Sequence, residues 1–255
     1  MNANKETKHL KNKQLIYKKM AIKKKDFVEI EYTGKYKDTG EVFDTTNAET
    51  AKKAKIYNEK TEYKPIVICI GEKHIIKGID DFLEGKEPGE YKLDLKPEDA
   101  FGKKDPKLMR MIPMSKFREQ NITPVPGLRL NIDGYIGTVR SVSSGRTIVD
   151  FNHPLAGKEL TYEIKVNKIV TDKKTQIESL LKTLLGLKGD VEIKDNKAEI
   201  KIEGELPKEL TAEFSKKTKE LTGVETEFIN KLKKETEQKE QKEQEKKEEQ
   251  KKEKT

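Results

Sequence analysis

The 255-residue sequence has no tryptophan, one cysteine and three histidines, and only 6% of it is aromatic. A single cysteine, Cys69, excludes an internal disulfide and any Cys-x-x-Cys redox or zinc motif. It lies inside the apolar run 66–70, where a thiol fills core. The three histidines are scattered, so there is no ligand cluster, and neither a metal nor another cofactor is expected. No window approaches the apolar length that crosses a bilayer, and the N-terminus lacks the apolar centre of a signal peptide. A cytoplasmic protein is expected.

What is abundant is charge, and its placement matters more than its total. Residues 1–20 hold six Lys against one Glu, and residues 231–255 hold ten Lys against eight Glu, so nearly all of the net +8 sits at the ends. The body is close to neutral, and a basic balance confined to tails gives nucleic-acid binding no support. A ribosome- or RNA-associated factor working through those tails would show steep salt dependence. Residues 1–20 read as a disordered basic arm, or as a stretch upstream of a biological start at Met20. Residues 231–255, with no apolar residue after Leu232, read as a disordered Lys/Glu/Gln-rich tail. The length between them predicts more than one domain.

Residues 27–34 place Val28, Ile30 and Tyr32 on one face and Glu29 and Glu31 on the other, the period-2 pattern of a half-buried strand. Gly40 closes a turn, and a short strand then delivers Phe43 and Asp44. A carboxylate at the end of an apolar strand admits two readings. It points inward with the Tyr32 phenol as a candidate donor, or it is an exposed strand end opening a loop. Residues 45–64 are polar, with Ala48, Ala51, Ala54 and Tyr57 at short-helix spacing, and read as an excursion outside the core. Residues 65–70 form a second buried strand ended by Gly71. Ile75, Ile76, Ile79, Phe82 and Leu83 then recur at helical spacing, and Tyr91, Leu93 and Leu95 alternate in a third strand. Phe101 follows in a loop before Gly102.

Between Gly102 and Asn152 the pattern is a compact β unit. Leu128, Leu130 and Ile132 alternate, Asp133-Gly134 is a hairpin turn, and Ser144-Gly145 turns into residues 147–151. Ahead of these strands, three of the five methionines, Met109, Met111 and Met114, fall within six residues and Phe117 follows. Flexible thioethers suit a surface that accepts many apolar partners, or they fill a small core. Residues 160–166 alternate in a returning strand, and 171–174 read as an exit linker. Beyond it Ile177, Leu180, Leu181, Leu184 and Leu185 mark a helix stopped by Gly186. A hairpin at Asp195-Asn196, a helix from Pro207 to Gly223 and a last strand complete an αββαβ unit. About sixty residues is small for a self-sufficient core, so a homodimer through this unit is expected.

Tyr-Thr-Gly at 32–34, Gly-Glu-Val-Phe-Asp at 40–44, the apolar strand into Gly71, Ile-Ile-Lys-Gly-Ile at 75–79 and Ala-Phe-Gly at 100–102 form an ordered set. In order and spacing it resembles the FKBP-type peptidyl-prolyl cis/trans isomerases. The run from Asn152 to Tyr162 resembles the last strand of the SlyD-like, long archaeal branch of that family. The resemblance spans about residues 21–170. It implies an α+β fold: an FKBP-like antiparallel sheet with a short helix, an inserted small β-barrel-like domain in the flap, and a C-terminal α+β domain. The implied division is an N-terminal extension (1–20), an isomerase domain (21–102 plus 151–171), an insert-in-flap domain (103–150), a C-terminal domain (172–230) and a tail (231–255).

The same resemblance implies rotation about Xaa-Pro bonds, with Tyr32, Phe43, Asp44, Ile76 and Phe101 as the catalytic set and Ile66, Ile75, Ile79 and Tyr162 binding substrate. Asp44 would be the buried polar member, and the Ile76 backbone N–H would meet a substrate carbonyl. Plain core packing competes with substrate contact for Ile66 and Tyr162. An insert that holds unfolded chains through Met109, Met111, Met114 and Phe117 would add folding-chaperone activity. Expected partners are therefore unfolded or proline-containing polypeptides, without nucleic acid or membrane. Ile79 and Ile66 stand where many members carry tryptophan and phenylalanine, which implies a wider pocket. SlyD-type tails are often rich in His and Cys, and this one has neither, so metal binding is not carried over. The rival reading is a non-catalytic holdase or adaptor that kept the fold, and the intact Tyr32, Phe43, Asp44, Phe101 set favours the enzyme.

Overall fold

The computed structural model describes residues 21–230 except Ser144. The expectations for 1–20, for Met20 as a start and for 231–255 lie outside the described residues. Strand β1 (Phe27–Tyr36) carries the alternation read above. Val28 and Ile30 are buried and Tyr32 packs against the same core, while Glu29 and Glu31 on the other face both accept from the Asn167 side chain. β2 (Val42–Thr45) follows the turn, and α1 (Ala48–Lys53) begins at Asn47, whose side chain accepts the Thr50 N–H at 2.9 Å. Ala51 of this helix is fully buried, so residues 45–64 are not wholly outside the core.

β3 (Ile66–Cys69) leads into a loop and α2 (Lys77–Leu83), and β4 (Gly89–Leu95) completes the first half of the sheet. The helix is shorter than the apolar spacing predicts. Gly71 and Lys73 take positive φ, and Ile76 has an extended ψ of 142°, so Ile75 and Ile76 belong to the loop ahead of α2.

The chain then leaves the sheet through β5 (Met109–Pro113), α3 (Met114–Glu119), β6 (Arg129–Ile132), β7 (Tyr135–Ser143) and β8 (Arg146–Asp150), and returns as β9 (Leu160–Val170). β5 to β8 form one antiparallel sheet in the order β5-β8-β7-β6. Asp133 (φ 51°) and Gly134 (φ 84°) make the two-residue turn that joins Ile132 to Tyr135. Its core is Phe117, Val139 and Val149. In the main sheet the order is β2-β1-β9-β4, and β3 shares the β2 edge by pairing with the other half of β1. All of these pairings are antiparallel.

Asp172 accepts the Thr175 N–H at 2.8 Å and caps α4 (Lys173–Leu185), so residues 171–174 are a helix start and not a free linker. β10 (Asp190–Lys194), β11 (Lys197–Ile202), α5 (Lys208–Thr222) and β12 (Glu225–Asn230) follow, with β10 antiparallel and β12 parallel to β11. This unit does not need a second subunit to close its core. Phe27, Cys69 and Val170 of the first sheet belong to one buried cluster with Ile177, Leu180, Leu181, Ile200 and Phe214. Lys217–Glu72 (2.7 Å) and Lys25–Glu220 (3.0 Å) tie the same seam at its surface. The physical reason for expecting a dimer is thus met within the chain. No helix among the described residues is long and apolar enough to cross a membrane.

Candidate functional site

The first wall of the site is built by β1 and β2. The Tyr32 N–H donates to Thr46 Oγ1 (2.9 Å) and the Thr46 N–H returns to the Tyr32 carbonyl (3.0 Å), fixing where β2 ends. The Tyr32 phenol then reaches Asp44 and donates to Oδ2 at 2.9 Å. Gly34 explains the bare position beside them: a Cβ there would sit 2.6 Å from a Phe43 ring carbon and 3.0 Å from Tyr162. Across that glycine Phe43 meets Tyr162 edge to face with centroids 5.8 Å apart, and Tyr32 lies 6.0 Å from Tyr162.

The second wall is the loop 71–76. Asp80, buried in the first turn of α2, accepts from the Gly71 N–H (2.9 Å) and the Lys73 N–H (3.3 Å). His74 Nδ1 accepts from the Cys69 N–H at 3.1 Å. Burial lowers the pKa of His74, which keeps the imidazole neutral and able to accept. Held this way, Ile75 and Ile76 pack against the main core. The Ile76 N–H has no hydrogen-bond acceptor among the described residues. Gly78 permits the third wall, since a Cβ there would meet the Asp99 carbonyl at 2.7 Å. The loop 97–102 can therefore lie directly on α2. Phe101, at its end, stacks on His153 with centroids 4.5 Å apart and planes 1° apart.

The structure alters three of the expected placements. Asp44 is exposed and not buried. Its strand ends at the rim, where Tyr32 takes one carboxylate oxygen and water can reach the rest. Ile79 is fully enclosed and Tyr162 is only 3% exposed, so both lie within the core, while Tyr32, Phe43, Ile66, Ile75, Ile76 and Phe101 are partly buried and pack against that core. Phe117, expected on the client surface, is 3% exposed and centres the core of the inserted sheet, because α3 turns it inward. Met109 and Met111 are exposed at 42% and 58%, and Met114 is half-buried against that core.

The first wall carries the Asp44 carboxylate and the Tyr32 and Tyr162 phenols. Burial first, and the Asp44 carboxylate second, push both Tyr32 and Tyr162 upward, so each stays a protonated donor at neutral pH. Such a group of donors and rings can bind and polarise an amide. Sequence reasoning missed Asp80, His153 and Asp150. Asp80 had a usable signal, an acid in the first turn of a helix facing a glycine loop. The Phe101–His153 stack and the ion pairs of Asp150 join residues far apart in sequence and had none.

Known proteins resemble this chain in sequence. A family model described as FKBP-type peptidyl-prolyl cis-trans isomerase matches residues 18–124, and one described as FKBP26, IF domain, matches residues 110–155. A short-type peptidyl-prolyl cis-trans isomerase of Methanocaldococcus jannaschii is 36% identical over 149 residues, covering 58% of this chain and 94% of its own length. The chain belongs to the FKBP-type peptidyl-prolyl cis-trans isomerase family. This isomerase is also 32% identical over 108 residues to a probable FKBP-type 16 kDa peptidyl-prolyl cis-trans isomerase of Pseudomonas fluorescens, covering 40% of this chain and 71% of that one. A SlyD of Pasteurella multocida is 28% identical over 116 residues, covering 44% of this chain and 58% of that one. The 149 residues shared with the M. jannaschii relative leave a large part of this FKBP-type chain unmatched there.

Proposed function

We propose that this isomerase rotates Xaa-Pro bonds of unfolded chains between the Tyr32–Phe43 wall, the Ile75–Ile76 loop and Phe101, while the inserted strands of residues 103–150 hold the client. The amide barrier is about 18–20 kcal/mol because resonance is lost on twisting. An apolar enclosure that removes water from the amide, with a donor placed for its carbonyl, favours the twisted state. The free N–H of Ile76 is the observation that carries this reading. A loop donor just ahead of α2, left without a partner beside packed aliphatics, suits a substrate carbonyl. Asp44 acts through its field and by orienting Tyr32.

The client-holding role rests on Met109 and Met111, whose exposed thioethers stand at the start of the insert. Tethering a client beside the prolyl site raises the local concentration of its prolines there. The test uses Ile76→Pro. The native φ of −57° is one proline adopts, and no internal hydrogen bond is lost with the N–H. Removing the donor is expected to lower kcat/KM on a short prolyl peptide about tenfold, the cost of one substrate hydrogen bond. Unchanged kcat/KM in the folded variant would overturn the assignment.

A further inference from the structure

The inserted segment carries a charge imbalance that the chain as a whole hides. Residues 103–151 contain nine Lys and Arg against four Asp and Glu. Three of those cations are ion-paired locally: Lys103 with Glu98 (2.8 Å), and Lys104 and Arg140 both with Asp150 (2.9 Å each). Among the described residues no ion pair is made by Lys107, Arg110, Lys116, Arg118, Arg129 or Arg146.

Two of these free cations border an apolar groove. Arg110 and Lys116 line a cavity of about 780 Å³ together with Met111, Ile132, Tyr135 and Phe151, and Asp133 is the one carboxylate in its lining. The Arg110 guanidinium sits over the Phe151 ring, 5.8 Å from its centroid. The contact holds the cation beside the ring, and no carboxylate pairs with it among the described residues. Met111 and Tyr135 are 58% and 71% exposed, so apolar surface and unpaired cations lie side by side.

We propose that the insert selects unfolded segments whose apolar or aromatic residues are flanked by Asp or Glu. The proposal rests on the reading of the insert as the client-holding unit. Burial of apolar side chains supplies affinity without regard to charge. Flanking carboxylates meet Arg110 and Lys116 at the exposed rim of the groove, whereas flanking Lys or Arg meets like charge, and that difference sets the preference.

Three fluorescent peptides with one shared apolar centre and flanks of Asp, Ser or Lys test this by anisotropy with the full-length protein. At low salt the Asp-flanked peptide is expected to bind about tenfold more tightly than the Lys-flanked one, and in about 1 M salt the ratio is expected to fall to about twofold. Arg110→Gln with Lys116→Gln should remove most of the difference between the Asp and Lys flanks, and an unchanged thermal unfolding curve shows that the variant is folded. Equal affinities for the Asp and Lys flanks, or a preference that survives the double substitution, would overturn the proposal. Failure of all three peptides to bind would instead remove the client-holding reading, and this proposal with it.

Discussion

Lys104 Nζ lies 2.9 Å from Asp150 Oδ2, so the chain's way into the inserted sheet is ion-paired to its way out. Arg140 of β7 bonds the same oxygen, and Asn152 donates its backbone N–H (2.9 Å) and its side-chain amide (2.8 Å) to the other. Burial alone would raise the Asp150 carboxyl, but the bonds from Asn152, Lys104 and Arg140 outweigh it and hold the group well below the usual carboxylate range. One buried carboxylate thereby anchors both crossings of the insert.

Asp150→Ala is expected to destabilise the insert by about 2–4 kcal/mol, through loss of several charge-assisted hydrogen bonds. Because the folded pKa is depressed, this contribution is full above the unfolded carboxyl value near about 4 and is lost as pH falls toward the folded value. Urea titrations should therefore give a constant gap between wild type and variant at pH 7 and 5 and a smaller one at pH 3. A gap that does not change with pH would rule out the ion-paired carboxylate as its cause.

Gly34→Ala forces a Cβ against the partly buried Phe43 ring and the buried Tyr162 ring, so at least Phe43 must shift. Overpacking of this kind costs about 1–3 kcal/mol, and displacement of Phe43 should lower kcat/KM on prolyl peptides. Tyr32→Phe keeps the shape and removes only the bond to Asp44, about 0.5–1.5 kcal/mol. Thermal unfolding and peptide isomerisation, measured on both, separate shape from hydrogen bonding.

Within the insert, surface and core substitutions should behave oppositely. Replacing the exposed Met109 and Met111 by Gln is expected to abolish aggregation suppression and leave isomerisation of short peptides intact. Phe117→Ala removes the centre of a small core and should cost about 3–5 kcal/mol, enough to unfold the insert. Full aggregation suppression by a folded double variant would dispose of the methionine surface.

Cys69 is fully enclosed, and burial, followed by the nearby Glu72 and Asp80 carboxylates, pushes its thiol up to about 12. Thiol reagents at pH 8 should leave it unmodified in the native chain and label it fully in urea. It sits in the cluster shared by the first sheet, α4 and α5. Phe214→Ala should therefore speed labelling, and an unchanged rate would mean that the shared core does not protect the thiol.

Much of this could be read from the sequence where one period controls the outcome. The β1 alternation, the two Asp-Gly and Asp-Asn hairpins and the α4 stripe ended by Gly186 are local patterns with local causes. The misreadings arose where tertiary contacts overrode a pattern. Ile75 and Ile76 fit a helical stripe, yet the bonds from Asp80 to Gly71 and Lys73 hold that loop open ahead of α2. Phe117 follows a run of methionines, yet α3 rotates it into the core. The C-terminal unit looks too small to stand alone, and only the fold brings Phe27, Cys69 and Val170 to finish it.

The central claim joins prolyl isomerisation to client capture in one chain, and the direct test is the refolding of a protein limited by a proline bond. Wild type, Asp44→Ala and a deletion of the insert between Lys104 and Asp150 are compared. Wild type is expected to accelerate the slow phase, Asp44→Ala to lose most of that acceleration, and the deletion to lose it while keeping short-peptide activity. No acceleration by wild type, or equal acceleration by the deletion, would contradict the account.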